Sequence, residues 1–129
     1  MEISIKTNKR EELIDITDKV QEIVRASKIE DGIAIIQIQH TTAGITINEN
    51  ADSDVKSDIL KGLSIFDNPD YQHSEGNSPA HIKSSLIGSS VTIIIEEGNL
   101  QLGTWQGIMF CEFDGPRNRK VLVEVIPKG

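Results

Sequence analysis

The sequence is poor in cysteine and in long apolar runs, and each shortage excludes a class of protein. Cys111 is the only cysteine, so no internal disulfide can form and a disulfide-stapled secreted fold is excluded. No apolar segment approaches the roughly 20 residues that a membrane-spanning helix needs, and the first residues lack the apolar run of a signal peptide. We therefore expect a cytoplasmic protein without a membrane partner.

Positive charge is also scarce. The chain has 13 lysines and arginines against 20 aspartates and glutamates, which gives a formal net charge of −7. A protein that binds duplex nucleic acid normally presents a basic face, and the only dense basic cluster here is Arg117, Arg119 and Lys120. Nucleic acid is therefore not an expected partner.

Aromatic residues make up only 4% of the chain, so the core must rest on isoleucine, valine and leucine, which favour sheet. Apolar alternation and short apolar runs predict strands at 2–5, 12–16, 33–39, 45–49, 91–95, 107–113 and 120–126, and helical spacing predicts helices at 17–28, 52–66 and 79–87. The first two strands are expected to pair as a hairpin. Because the strands are grouped and do not alternate singly with helices, the pattern favours a single α+β domain over residues 1–129. It would have two layers, a mainly antiparallel sheet packed with helices.

The stretch 73–88 carries two of the three histidines beside a clear helix start. The ends of this short helix are marked by Ser78 as cap, Pro79 in the first turn and Gly88 at the exit. His81 falls in the first turn, where the positive end of the helix dipole disfavours protonation. Gly76 allows the chain to bend so that His73 can approach His81.

Four strings are specific enough to indicate a family: HTTAGITINEN, HSEGNSPAHIKSSLIGSS, GNLQLGTWQGI and FCEFDGPRNRKV. Together they resemble the YjbQ family. The resemblance implies a compact α+β fold that assembles as a homotrimer, and a metal site built around motif histidines. It also implies the activity of a secondary thiamine-phosphate synthase, which joins a pyrimidine diphosphate to a thiazole phosphate.

The motif histidines fall on His40, His73 and His81, which the resemblance marks as ligands of a divalent metal. Imidazole suits zinc better than magnesium, and three protein ligands leave a position open for water or substrate. Without the family pattern, isolated histidines are more often hydrogen-bonded structural groups.

The same motifs supply further candidate site residues. For catalysis these are Glu49, Glu75 and Arg117, and for substrate binding they are Asn48, Asn77, Trp105, Gln106, Arg117 and Arg119. The two glutamates could move a proton or orient an imidazole, and the plain alternative is a solvated acid near a turn. Trp105 suits either packing or stacking on a heteroaromatic ring. Arginine grips phosphate bidentately, so Arg117 is the best phosphate anchor, although Glu112 and Asp114 could form an internal salt-bridge network with the arginines.

The function expected from these residues is a metal-assisted enzyme acting on a small phosphorylated substrate, with thiamine-phosphate formation as the specific version. A metal-dependent hydrolase is the enzymatic alternative, because diphosphate chemistry usually employs magnesium and carboxylates. A non-catalytic trimer that binds a metal or a metabolite is the alternative from another class.

Overall fold

The computed structural model describes all 129 residues and contains eight strands and three α-helices. The strands are β1 (Glu2–Lys6), β2 (Glu12–Asp15), β3 (Gly32–Ile38), β4 (Ala43–Glu49), β5 (Ser90–Glu96), β6 (Asn99–Leu100), β7 (Gln106–Glu112) and β8 (Asn118–Pro127). The helices are α1 (Thr17–Ser27), α2 (Ser53–Leu63) and α3 (Ser78–Ile87), and a short 3-10 helix, Ser64–Phe66, follows α2. Every predicted element is present, and its bounds lie within two residues of those expected except at the end of α2, where the predicted helix 52–66 stops at Leu63 and the 3-10 helix Ser64–Phe66 follows. The pattern missed only β6.

The strands form two antiparallel sheets where the sequence pattern indicated one. The larger sheet has the order β1-β8-β3-β5-β6 and the smaller has the order β2-β7-β4. The predicted hairpin between the first two strands is wrong, because β1 pairs with β8 in one sheet and β2 pairs with β7 in the other. Their apolar faces complete different sheets built from distant parts of the chain, a choice that local alternation does not encode.

The two sheets and the helices enclose two hydrophobic cores. The main core lies between the sheets and is closed along one side by α1, whose Val20 and Val24 are fully buried in it. A smaller core, with Ala80, Cys111 and Phe113 at its centre, lies between the other face of the small sheet and helices α2 and α3. The α+β class is therefore confirmed, but the layers number three: large sheet, small sheet and a pair of helices.

The helix ends differ in detail from the predicted caps. Thr17 begins α1, and its hydroxyl donates to Asp15 and accepts from the N–H of Ile108, so Thr17 ties the helix start to β7 without capping it. Ser78 lies inside α3, since the cap position is Asn77 and no side chain caps the first amides. Gly88 has a φ of 100°, as its predicted role at the helix exit requires. No helix is both long and apolar enough to cross a membrane.

A buried ion pair joins the two sheets at one end. Glu112, the last residue of β7, is fully buried, and the Arg119 side chain on β8 is only 4% exposed. Arg119 Nε donates to Glu112 Oε2 at 2.8 Å, and the same oxygen accepts from the Thr7 hydroxyl at 2.9 Å. The Arg119 guanidinium also reaches the hydroxyl of Thr42, just before β4. Both carboxylate oxygens of Glu112 and two of the three guanidinium nitrogens of Arg119, Nε and Nη2, therefore have hydrogen-bond partners, as buried charges require.

We predict that Arg119→Met lowers the free energy of unfolding by about 3–5 kcal/mol, because it leaves the Glu112 carboxylate buried without a counter-charge. Urea unfolding followed by circular dichroism measures the loss. The double variant Glu112→Gln with Arg119→Met is the matched control, and it should lose less stability than the single variant because the buried charge is gone. An equal or larger loss in the double variant would contradict this account.

Candidate functional site

The structure brings His73 and His81 together as predicted. Their ring centroids are 5.5 Å apart, and the rings meet edge to face at 85°. His81 lies in the first turn of α3, while His73 lies on the loop before it. The chain turns back between them, because the N–H of Gly76 donates to the carbonyl of His73 at 3.0 Å and Gly76 adopts a φ of 73°.

His40 lies apart from this pair in the single chain. It follows β3, where its Nε2 accepts the backbone N–H of Lys120 at 3.0 Å and its ring meets the edge of Phe110. Burial, and then the positive charge of Arg119, lower the pKa of His40 below its ordinary value. Since Nε2 already accepts a hydrogen bond, it is not free to bind a metal in this arrangement.

No three histidine, cysteine, aspartate or glutamate side chains come together in the chain as metal ligands. The pair formed by His73 and His81 therefore offers two ligands, and the three-histidine site stays a prediction.

A chain of polar contacts links the start of α3 to Arg117. Asn77, at the cap position of α3, donates from Nδ2 to Asp114 Oδ2 at 3.0 Å. The same carboxylate oxygen accepts from Arg117 Nη2 at 2.8 Å, and Arg117 Nε donates to the Asp114 carbonyl at 2.7 Å. The Arg117 side chain is still 51% exposed, so its guanidinium is held in direction and open to solvent. The role of Arg117 as a phosphate anchor stays a prediction, and the contact with Asp114 is the internal salt bridge that was its alternative.

Arg119 does not share that role in this structure. Its guanidinium is buried in the ion pair with Glu112, so no face is left for a substrate. Burial alone would raise the pKa of Glu112, but the hydrogen bonds from Arg119, Asp114 and Thr7 outweigh it and hold that pKa below its usual value. The internal salt-bridge network, the plain alternative for these residues, is what the structure contains.

The remaining candidates lie at the other end of the small sheet. Asn48 and Glu49 end β4, and Glu49 is paired in register with Gln106 at the start of β7. The Trp105 carbonyl accepts from Asn50 at 2.8 Å, and the Trp105 side chain is 64% exposed. Glu75, the other predicted acid, is exposed on the loop before α3.

The candidate residues therefore form two groups. We call the first the histidine–arginine end: His73, His81, Asn77, Asp114 and Arg117. We call the second the tryptophan end: Asn48, Glu49, Trp105 and Gln106. The seven residues of β4 separate the two ends, and at about 3.3 Å per residue this strand spans roughly 20 Å.

Sequence reasoning missed two residues that position these groups. Lys83 on α3 is 1% exposed, and its ammonium donates to Glu11 at 2.7 Å and to Asp67 at 2.9 Å. It adjoins a cavity of about 340 Å³ and fixes α3 against the loop that leads to His73. The helical spacing places Lys83 on the buried face with Ala80, which was the available signal. Asn50 was also missed, although it anchors Trp105 through its backbone and Asp15 through its side chain.

Comparison with known proteins fits this architecture. A family model for the UPF0047 protein YjbQ-like group matches residues 1–128. The chain belongs to the YjbQ-like family. It is 61% identical to UPF0047 protein MJ1081 of Methanocaldococcus jannaschii over 124 residues, which cover 95% of this chain and 90% of that protein. It is 50% identical to UPF0047 protein YugU of Bacillus subtilis, covering 96% of each.

A YjbQ-like crystal structure from Clostridium acetobutylicum superposes with a TM-score of 0.96 at 58% identity, covering 98% of this chain and 99% of that one. Such agreement shows that the YjbQ-like fold, with its two sheets, is shared. That protein is called uncharacterized, and the two relatives are named by family alone, so the reaction has to be inferred from the site.

We predict a pH dependence of stability from His40. Because the native state depresses its pKa, the free energy of unfolding should fall as pH drops below about 6.5, the unfolded value. Asp15 and Glu112 also have lowered pKa values, but their contributions are lost only below about pH 4 to 4.5, so the two windows separate.

The measurement is the urea midpoint between pH 7.5 and 5 with a chelator present. His40→Gln is the matched variant, because it keeps an acceptor for the Lys120 N–H and cannot titrate. Its midpoint should change less than that of the wild type over this range. Parallel curves for the two proteins would contradict the prediction.

Proposed function

We propose that this YjbQ-like chain is a cytoplasmic, metal-assisted enzyme that acts on a small phosphorylated molecule and works as a homotrimer. The observation that carries the proposal is the composition of the histidine–arginine end. Two imidazoles in edge-to-face contact lie on and beside the start of α3, and the exposed guanidinium of Arg117 is tied to the same helix start through Asp114 and Asn77. Imidazole binds divalent metals, and guanidinium binds phosphate.

The donor type of the histidine pair suits one class of ion. The ring centroids of His73 and His81 are 5.5 Å apart, and imidazole nitrogen is a common zinc ligand. The pair thus supports zinc over magnesium, which prefers oxygen ligands.

Each residue has a defined part in this proposal. His73 and His81 would hold the ion, which would supply positive charge for a phosphoryl oxygen. Arg117 grips the phosphate and neutralises negative charge on the leaving group, while Asp114 fixes its direction. Asn77 holds the Asp114 carboxylate, so it orients the anchor without touching the substrate.

The narrower proposal is formation of thiamine phosphate. The thiazole nitrogen forms a bond to the pyrimidine methylene carbon, and the bond between that carbon and the diphosphate oxygen breaks with its electron pair leaving on the diphosphate. Charge builds up on the diphosphate, where Arg117 would stabilise it. Trp105, with its exposed side chain, suits stacking on a heteroaromatic ring.

A second candidate is a non-catalytic protein that binds a metal or a metabolite. The observation that favours it is the lack of a carboxylate grouped with the histidine pair, since proton transfer needs a positioned acid or base. Turnover of phosphorylated substrates by metal-loaded protein separates the two candidates. Tight binding without turnover would favour the second.

We predict that His81→Ala releases the metal. Losing one of the two paired imidazoles should weaken metal affinity by more than the roughly 10–100-fold expected for a group that only supports a ligand. The measurement is metal content per chain after dialysis against zinc. Alanine is the better helix former, so α3 should persist, and circular dichroism checks it. Undiminished metal in a folded variant would remove His81 from the ligand set.

We also predict that Arg117→Ala weakens phosphate-bearing ligands by about 1.5–3 kcal/mol, the usual scale for hydrogen bonds to a charged group. Calorimetric titration with a phosphorylated ligand and with its dephosphorylated analogue measures the change. Arg117→Lys is the control variant, which keeps the charge but cannot bind phosphate bidentately. Its affinity for the phosphorylated ligand should lie between those of the wild type and Arg117→Ala. Equal weakening of both ligands would mean that Arg117 only supports the site.

A further inference from the structure

A cavity of about 340 Å³ lies beside α3, on a different side of the helix from His81. It is enclosed by the β1–β2 connection, the segment after the 3-10 helix, the start of the β7–β8 connection and the N-terminal half of α3. Pro79, Ala80 and Lys83 line it from the helix, and helical spacing turns His81 away from these three residues. No residue of the histidine–arginine end lines the cavity, so it is separate from the site described above.

One wall of the cavity is apolar and rigid. It contains Phe113, which is 2% exposed and packs beside Ala80 in the smaller core. Pro69 and Pro79 also line the cavity, and a proline ring fixes the backbone φ, so this wall is formed before any ligand arrives. Pockets that bind small molecules combine apolar surface with a few placed polar groups, in volumes from about 300 Å³ upwards. This cavity therefore suits a small organic molecule.

The polar wall contains a buried ammonium group. The Lys83 side chain is 1% exposed, and its Nζ donates to Glu11 at 2.7 Å and to Asp67 at 2.9 Å. An ammonium carries three N–H groups, so one of them has no acceptor in the chain. Although burial lowers the pKa of Lys83, these two bonds raise it above its ordinary value. Lys83 is therefore a charged hydrogen-bond donor at this cavity and not a nucleophilic amine.

A second cation at the cavity is unpaired. Arg10 lines the cavity, and its guanidinium takes part in none of the salt bridges of the chain. Its backbone is fixed all the same, because the Arg10 carbonyl accepts the N–H of Gly115 at 2.9 Å and the adjacent Glu11 is bonded to Lys83. The guanidinium therefore projects from a fixed point beside the buried ammonium.

We propose that this cavity binds a small organic carboxylate, with its charged end between Arg10 and Lys83 and its apolar body against Phe113. A guanidinium binds a carboxylate through two parallel hydrogen bonds, and the spare N–H of the ammonium adds a third. The charged side chains that line the cavity are Arg10, Glu11, Asp67 and Lys83, which sum to zero. The two carboxylates therefore oppose a monoanion less than they oppose a dianionic phosphate. The apolar wall favours an organic body over a hydrated inorganic ion.

Benzoate is the probe, with benzamide as its uncharged analogue and phenyl phosphate as its dianionic analogue. Metal-free protein is titrated with each compound, and NMR follows the backbone amides of Asn68, Lys83 and Gly115. Benzoate should give saturable shifts at about millimolar concentration, as expected for a ligand of this size. Benzamide should bind at least about tenfold more weakly, because it lacks the charge, and phenyl phosphate should also bind these residues more weakly. Equal or tighter binding of either analogue would overturn the assignment of a carboxylate.

Arg10→Ala should weaken benzoate binding by at least about tenfold, because it removes the bidentate hydrogen bonds. Lys9→Ala is the matched control, since it removes the same charge from the same connection but Lys9 does not line the cavity. Its affinity for benzoate should equal that of the wild type. Unchanged binding in Arg10→Ala, or an equal loss in Lys9→Ala, would overturn the inference.

A further variant separates this cavity from the histidine–arginine end. Benzoate shifts that persist in Arg10→Ala and vanish in Arg117→Ala would place the carboxylate on the other guanidinium, and this result would also overturn the inference. The proposed function is tested with phosphorylated ligands and with metal content, so its failure and the failure of this inference are distinguishable.

Discussion

The buried pair of Glu112 and Arg119 is the constraint on which the rest of the molecule depends. It lies where the chain passes from the small sheet into the large one, and it recruits Thr7 and Thr42 from two other connections. Four separate segments therefore converge on two charges that are almost completely shielded from water. Because an unpaired buried charge is far more costly than a paired one, these segments have one low-energy arrangement.

That arrangement reaches directly into the histidine–arginine end. The turn after Glu112 presents Asp114, and the Asp114 carboxylate holds both Arg117 and the start of α3. The helix in turn carries His81, with Lys83 locking its buried face to two carboxylates. Burial alone would lower the pKa of Lys83, but the bonds to Glu11 and Asp67 outweigh it and raise that pKa, so the ammonium stays charged. The buried ion pairs of Arg119 and Lys83 therefore help to set the positions of the residues at the histidine–arginine end.

The YjbQ-like fold of this chain superposes on a crystal structure of a relative with a TM-score of 0.96. Within that fold, the residues at the candidate site limit the possible chemistry. One end of the small sheet carries imidazoles and a directed guanidinium, and the other carries an exposed indole. Strand β4 spans the distance between them, so the two ends lie apart in the chain.

The sequence by itself determined the bounds of nearly every strand and helix and allowed the bend at Gly76, because turn chemistry and apolar periodicity act over a few residues. Only the tertiary structure decided that β1 and β2 belong to different sheets, that Arg119 is buried, and that His40 lies outside the histidine pair. Those outcomes depend on strand pairing and charge burial between residues far apart in the chain, such as Glu2 and Leu122. No local pattern records which distant partner a strand or a charge will find.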